Sequence, residues 1–203
     1  MTKLTAVVLA AGMSRRMGRE NKLLLPVNGR PMIVRTLCVY LDVCDDVVVV
    51  TGFEADRIRA AIGHLDVDVV HNPDFANGQA TSVAVGLRKS LGSDTVMVGL
   101  GDQPSLRSSH LDALIQSHIG TGAQKVTIPC NRESRGNPIV IPKRLVGKML
   151  EDKQNPGCGK FTRQRRDLVD LVPFSETAFF HDVDTPEDYA ALSNPFETTE
   201  TVQ

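Results

Sequence analysis

Three stretches of this sequence bring together residue types that suit chemistry at phosphorus. The first is Gly12-Met13-Ser14-Arg15-Arg16-Met17-Gly18, followed by Asn21-Lys22. Small residues let the backbone approach a ligand closely, and successive amide N–H groups in such a turn form an anion-binding concavity. Arg15, Arg16 and Lys22 add positive charge, which completes what a polyphosphate needs. The loop matches neither G-x-x-x-x-G-K-[ST] nor G-x-G-x-x-G. An ordinary surface turn with solvated arginines is the alternative. The second stretch is Gly99-Leu100-Gly101-Asp102-Gln103-Pro104. A carboxylate flanked by glycine and stopped by proline is poorly explained by packing. Burying it is costly without a partner, and Mg²⁺ is a natural one. An aspartate that caps the next turn is the alternative. The third is His181-Asp182-Val183-Asp184, expected at the end of a short strand, so that both carboxylates face the same way. Two like charges that close need a cation nearby.

These stretches must be positioned by regular elements, and the sequence alternates two patterns. β-Branched runs predict strands at Ala6–Leu9, Val47–Thr51, Val67–Val70, Thr95–Val98 and Lys125–Ile128, with a further apolar run at Ile139–Ile141. Helix-like stretches lie between them at Pro31–Leu41, Ala55–Gly63, Thr81–Ser90 and Ser108–Ser117. Ile58, Ala61 and Ile62 define an apolar helix face, with Arg57 and Arg59 opposite. Continuous valine runs such as Val47–Val50 suit strands covered on both faces. The expectation is an α/β fold, doubly wound, with a mostly parallel central sheet and helices on both faces. Ligands in such folds bind outside the carboxyl ends of the strands, where all three stretches fall. Thr81 or Ser82 is expected to cap a helix, and Thr185-Pro186-Glu187-Asp188 reads as a helix start. Residues 1–192 are expected to form one domain. Residues 193–203, rich in Thr and Glu with little to bury, read as a disordered tail.

Composition narrows the function classes. The 23 basic and 24 acidic residues leave a net charge of −1, which argues against a general nucleic-acid binder. No apolar run is long enough to span a membrane, and the N-terminus lacks a signal-peptide layout. Cys38, Cys44, Cys130 and Cys158 show no CxxC spacing. A disulfide framework or zinc ribbon is therefore not expected, and the reading is a cytoplasmic protein.

Leu9-Ala10-Ala11-Gly12-x-Ser14-x-Arg16-Met17-Gly18-x-x-Asn21-Lys22 resembles the signature of the MobA-like NTP transferases. More narrowly it looks like the branch of CTP:molybdenum cofactor cytidylyltransferases, because the guanylyl branch usually reads Leu-Ala-Gly-Gly and Asp-Lys at these places. The similarity runs through roughly residues 4–192. It implies a Rossmann-like nucleotidyltransferase fold in which Leu9, Ala10, Ala11 and Gly12 wrap the nucleotide and Arg16 and Lys22 contact its phosphates. It also implies base contacts at Gly78 and Ser82, and Mg²⁺ held by Asp102 and Asp184. Arg16, Lys22 and Asp102 become the catalytic candidates. Ser134-Arg135-Gly136-Asn137-Pro138 is similar to an Arg-Gly-His-Pro segment near the family's acceptor pocket, so Arg135 and Asn137 are substrate-binding candidates. Gly78-Gln79-Ala80 stands where the family commonly has Gly-Met-Ser, and Gln79 can both donate and accept hydrogen bonds. Asn155-Pro156-Gly157-Cys158-Gly159-Lys160 reads as a glycine-rich loop where the family often has Gly-Asp-x-Gly-Ala-Arg.

The resemblance implies transfer of CMP from CTP to the terminal phosphate of Mo-molybdopterin, with release of pyrophosphate. Hand-over of the product to a molybdenum hydroxylase or its chaperone is the family-level expectation for partners. Two alternatives stay open at this point. One is a guanylyl- or sugar-phosphate nucleotidyltransferase of the same fold, and the other is a non-catalytic protein that binds and delivers nucleotide or cofactor.

Overall fold

The computed structural model describes residues 2–18, 20–152 and 157–193. The chain runs β1 (Leu4–Ala10), a short hairpin of β2 (Pro26–Val27) and β3 (Arg30–Pro31), α1 (Met32–Leu41), β4 (Asp46–Thr51), α2 (Ala55–Ile62) and β5 (Asp68–His71). It continues with α3 (Gln79–Lys89), β6 (Thr95–Leu100), α4 (Ser108–Gly120), β7 (Val126–Cys130) and β8 (Ile139–Pro142). The last elements are α5 (Lys143–Leu150), α6 (Cys158–Gln164), β9 (Val169–Pro173) and α7 (Pro186–Ser193). Seven strands form one sheet in the order β5-β4-β1-β6-β8-β7-β9. Only β8 runs against its neighbours among these strands. The sheet is thus mostly parallel, as the valine runs imply.

Alternation along each strand splits the core in two. Val47 and Val49 face α1 and α2, together with Ala6, Val8, Leu37, Ile58 and Ile62. Val48 and Val50 face α3 and α5, with Val7, Val83, Leu87, Leu145 and Met149. Burial of each such aliphatic side chain contributes roughly 1.5–3 kcal/mol, so neither face can be dispensed with. From β1 the chain winds outward through β4 and β5, whereas from β6 it winds to the other edge. The carboxyl ends of β1 and β6 therefore form a topological switch point, the place where doubly wound sheets bind ligands.

Where the elements differ from expectation, the cause is local. The third strand begins one residue later, at Asp68. It is an edge strand whose Val69 is 37% exposed, so its hydrophobic pattern is diluted. Pro129 ends the β-branched run, yet β7 continues through it to Cys130, and the Pro129 carbonyl accepts from Gly136 N at 2.7 Å. Helix α3 starts at Gln79 rather than Thr81, because Gly78 at φ 110° makes the turn that launches it. Neither Thr81 nor Ser82 is its N-cap; both lie within its first turns. Cys158-Gly159-Lys160 opens helix α6 rather than forming a loop, while Asn155, Pro156 and the tail segment 194–203 lie outside the described residues. Burial pushes the Cys158 thiol up to about 12, which leaves it protonated and inert. Among the described residues, no helix is long and apolar enough to cross a membrane.

Gly86 shows how tightly α3 sits on the sheet. A Cβ there would overlap the Val7 side chain and crowd Val50. Alanine in a helix interior normally gains about 1 kcal/mol over glycine, but overpacking a close-packed core typically costs about 1–3 kcal/mol. Gly86→Ala is expected to destabilise the fold, read as a lower denaturation midpoint at unchanged m-value. An unchanged or raised midpoint would show that α3 can lift away from β1.

Candidate active site

After β1 the chain turns sharply through Ser14, which has φ 48° in the left-handed region, and through a single 3-10 turn at Arg15–Met17. A second 3-10 turn, Lys22–Leu24, is capped by buried Asn21, whose Oδ1 accepts from Leu23 N at 3.2 Å. Ser14 Oγ accepts from Lys22 N at 3.2 Å, which pins the two turns to each other. Lys22 is thereby held with its side chain 10% exposed and directed at two carboxylates. Its Nζ lies 2.5 Å from Asp102 Oδ2 and 2.7 Å from Asp184 Oδ1. Arg16, which is exposed, reaches the other oxygen of Asp184 at 2.6 Å.

Asp102 follows β6, and its turn is tied to β1 by Gly101 N donating to the Leu9 carbonyl at 2.9 Å. A side chain at Gly101 would run into Ile33 Cδ1 at 2.8 Å and that same carbonyl at 3.1 Å, so only glycine allows this approach. The carbonyl of Asp102 in turn accepts from Val183 N at 2.9 Å. Val183 is buried with Val27 and Met32, and the two aspartates flanking it are delivered to Asp102. Oxygens of Asp102, Asp182 and Asp184 lie within 4.8 Å of one another. Residues 181–184 are not a strand, contrary to expectation. The pairing with Asp102 and the burial of Val183 align the carboxylates instead. The Asp188 side chain accepts from the backbone N–H of Asp184 and Thr185 at 3.0 and 2.8 Å, and Asp188 N donates to Thr185 Oγ1 at 3.2 Å. The start of α7 thus holds Asp184 in place, in the manner its sequence announces.

Electrostatics follow from burial and neighbours. Burial raises the Asp102 pKa above the ordinary value; Lys22 opposes the rise and Asp182 adds to it. Burial pulls the Lys22 pKa down, but Asp102 and Asp184 outweigh it and the net shift is upward. Asp102 Oδ1 is buried with no hydrogen-bond partner among the described residues. A buried oxygen without a donor is costly. That free oxygen, beside two more carboxylates, fits a hard divalent cation.

A cleft of about 590 Å³ opens over these groups. Among the residues singled out from sequence, Leu9, Gly12, Arg16, Lys22, Gly78, Ser82, Asp102 and Asp184 line it, and so do Ala11 and Gln79. Ala10 does not: strand alternation turns it into the core beneath β1, 1% exposed, and this corrects the expectation for that residue. The Ser82 hydroxyl accepts from buried Asn72 Nδ2 at 2.9 Å. Asn72 also bonds Thr81 at 2.9 Å and Asp74 N at 3.0 Å, making it the organiser of this wall. Sequence reasoning passed over Asn72 and Phe75; the Asn-Pro dipeptide was the available signal for the first. Arg135 and Asn137 are not in the cleft lining. They sit in the β7–β8 loop, where Asn137 N donates to the Phe179 carbonyl at 2.8 Å and Arg135 is exposed. The loop therefore packs on the segment that leads to Asp182.

With that geometry the chain belongs to the MobA-like NTP transferase family, whose pattern matches residues 6–169. It is 32% identical over 192 residues to nicotine blue oxidoreductase of Paenarthrobacter nicotinovorans, covering 91% of this chain and 93% of that protein. It is 25% identical over 194 residues to molybdenum cofactor cytidylyltransferase of Escherichia coli K12, covering 93% and 95%. Among solved structures, a nucleotidyl transferase from Methanothermobacter thermautotroptrophicus superposes with a TM-score of 0.79 at 25% identity, covering 94% of this chain and 95% of that one. A Mycobacterium tuberculosis H37Rv protein in complex with manganese gives 0.72 at 25% identity, covering 96% and 100%.

Removing the ammonium isolates the electrostatics of the site. In Lys22→Met the Asp102 carboxyl loses the partner that opposes burial, so its pKa is expected to rise further, followed by carbon NMR of the labelled carboxylate against pH. A pKa that falls in the variant would mean that Lys22 does not stabilise the ionised form.

Proposed function

We propose that this protein is a nucleotidyltransferase that moves CMP from CTP to the terminal phosphate of Mo-molybdopterin in the cytoplasm, forming the cytosine dinucleotide and releasing pyrophosphate. The observation that carries this reading is the junction of Lys22 and Arg16 with Asp102 and Asp184, set under one cleft at the switch point. The molybdenum cofactor cytidylyltransferase from E. coli supports the choice of nucleotide and acceptor. The proposal extends, on the family resemblance alone, to hand-over of the product to a molybdenum hydroxylase or its chaperone.

The backbone from Ala11 to Ser14 and the side chains of Arg16 and Lys22 would cradle the β- and γ-phosphates. A lysine ammonium has three donors, and two are engaged with the carboxylates, so one remains for a phosphate oxygen. Asp102 and Asp184, with Asp182 beside them, would hold Mg²⁺, and the mycobacterial neighbour solved as a manganese complex supports use of a divalent ion. When bound, that ion would neutralise charge at the α-phosphate. Gly78, Gln79 and Ser82 would border the base. Arg135 and Asn137, on the loop next to the Phe179 segment, would guide the acceptor. An oxygen of the acceptor phosphate attacks the α-phosphorus in line, the bond to the β-phosphate oxygen breaks, and pyrophosphate departs with its charge held by Arg16 and Lys22. The protein contributes positioning and charge stabilisation, and no covalent intermediate is required.

A second reading follows from the relative named nicotine blue oxidoreductase. It is oxidation–reduction of an organic substrate in the same cleft, with NADH and NADPH as the electron donors to be tried.

One experiment separates the readings. The full chain is incubated with Mo-molybdopterin, Mg²⁺ and each nucleoside triphosphate in turn, with pyrophosphate measured and products identified by mass. Oxidation of NADH and NADPH is followed in parallel. CTP-dependent pyrophosphate release with a cytosine dinucleotide product is expected. Asp102→Asn is expected to lower that rate about a hundredfold or more, in line with loss of a preorganised charge at a transition state. Pyridine-nucleotide oxidation without triphosphate turnover would replace the first reading by the second.

A further inference from the structure

A second cavity lies between the β2–β3 hairpin, the outer face of α1 and the turn that follows β6. It encloses about 550 Å³, and its walls carry Arg30, Arg35 and Arg107 beside Val27, Val39 and Leu106. Among the described residues it shares no lining residue with the nucleotide cleft, and none of those that line it is acidic. Among the described residues, arginine ion pairs involve Arg16, Arg57, Arg59 and Arg165. Among the described residues, the three guanidinium groups here therefore have no carboxylate partner. At the rim the Ser108 hydroxyl donates to the Asp42 carboxylate at 2.8 Å. Arg35 Nε donates to the Pro104 carbonyl at 2.8 Å, which fixes that guanidinium and leaves its terminal nitrogens for another acceptor. The same bond fastens the cavity wall to the turn that carries Asp102.

We propose that this cavity is a second, separate binding site for a small organic polyanion. Its size falls within the range of about 300–1,000 Å³ usual for small-molecule pockets. The apolar half of the wall would take the body of the ligand. The guanidinium forks would take its acidic groups, since planar paired donors match carboxylate and phosphate oxygens. Three like charges around one concavity repel each other, and an anion among them removes that cost.

The test uses the full chain, nitrogen-15 labelled, in metal-free buffer. The probe is trimesate, a benzene ring carrying three carboxylates, with inorganic phosphate titrated separately. Saturable shifts are expected in the amides of residues 27–39 and 104–108. Arg30→Gln/Arg107→Gln changes two exposed side chains, and its melting temperature is measured to confirm folding. It is expected to weaken trimesate binding about tenfold or more, the loss typical of charge-assisted hydrogen bonds. Three results would overturn the proposal: shifts confined to residues 12–22, trimesate binding unchanged in the folded double variant, or phosphate binding as tightly as trimesate. The last would mean that bare charge, without an organic body, is all that the groove recognises. None of these readouts depends on nucleotidyl transfer, so this proposal and the proposed function can fail independently.

Discussion

The backbone hydrogen bond from Val183 N to the Asp102 carbonyl joins two parts of the chain that are remote in sequence, and the candidate site depends on it. A carboxylate at the end of β6 would otherwise stand alone, and the pair around Val183 would belong to a surface turn. The bond is protected because Val183 is buried against Val27 and Met32, under the short hairpin. Burial of one aliphatic side chain thus aligns the two acidic ones on either side of it. The cluster of three carboxylates is a consequence of packing as much as of charge.

That cluster is tolerable only because a cation is built in beside it. Lys22 is held by its own short turn, by Asn21 and by Ser14, and its ammonium touches both Asp102 and Asp184. Surface ion pairs contribute little, and the Arg16–Asp184 pair, with Arg16 largely exposed, is of that kind. The Lys22 pairs are screened much less by solvent, since the lysine and Asp102 are both largely shielded from water. Breaking them singly would strand a buried charge, which is why the lysine and the acids are best regarded as one unit. The proposed phosphate and metal ligands are coupled through it, and neither half can change without changing the field felt by the other.

The sheet supplies the frame for this unit. Because the winding reverses between β1 and β6, the loops after these strands open side by side, and Gly101 lets them touch. Asn72 performs a similar service on the opposite wall by tying the β5–α3 loop to the first turns of α3. These are scaffold residues, and their effect on a ligand is through the walls they hold.

Much of the fold was legible in the sequence. Central strands buried on both faces announce themselves by unbroken valine, and Val47–Val50 did so. Edge strands do not: β5 and β9 mix polar and apolar residues because one side meets solvent, and β9 went unread. Asp102 stood out because a lone carboxylate after an apolar run is hard to explain by packing, whereas Arg16 and Lys22 were singled out from the basic loop by the family resemblance. Ala10, in the middle of the same motif, looked equivalent to its neighbours, yet strand alternation sends it into the core. Asn72 carried only a turn dipeptide as its signal. Residue types and local periodicity are properties of neighbouring positions, so the sequence by itself determined the class of fold and which charged groups had to be accounted for. Which carboxylates meet which lysine depends on contacts between distant segments, and only the closing of Val183 onto Asp102 decided that.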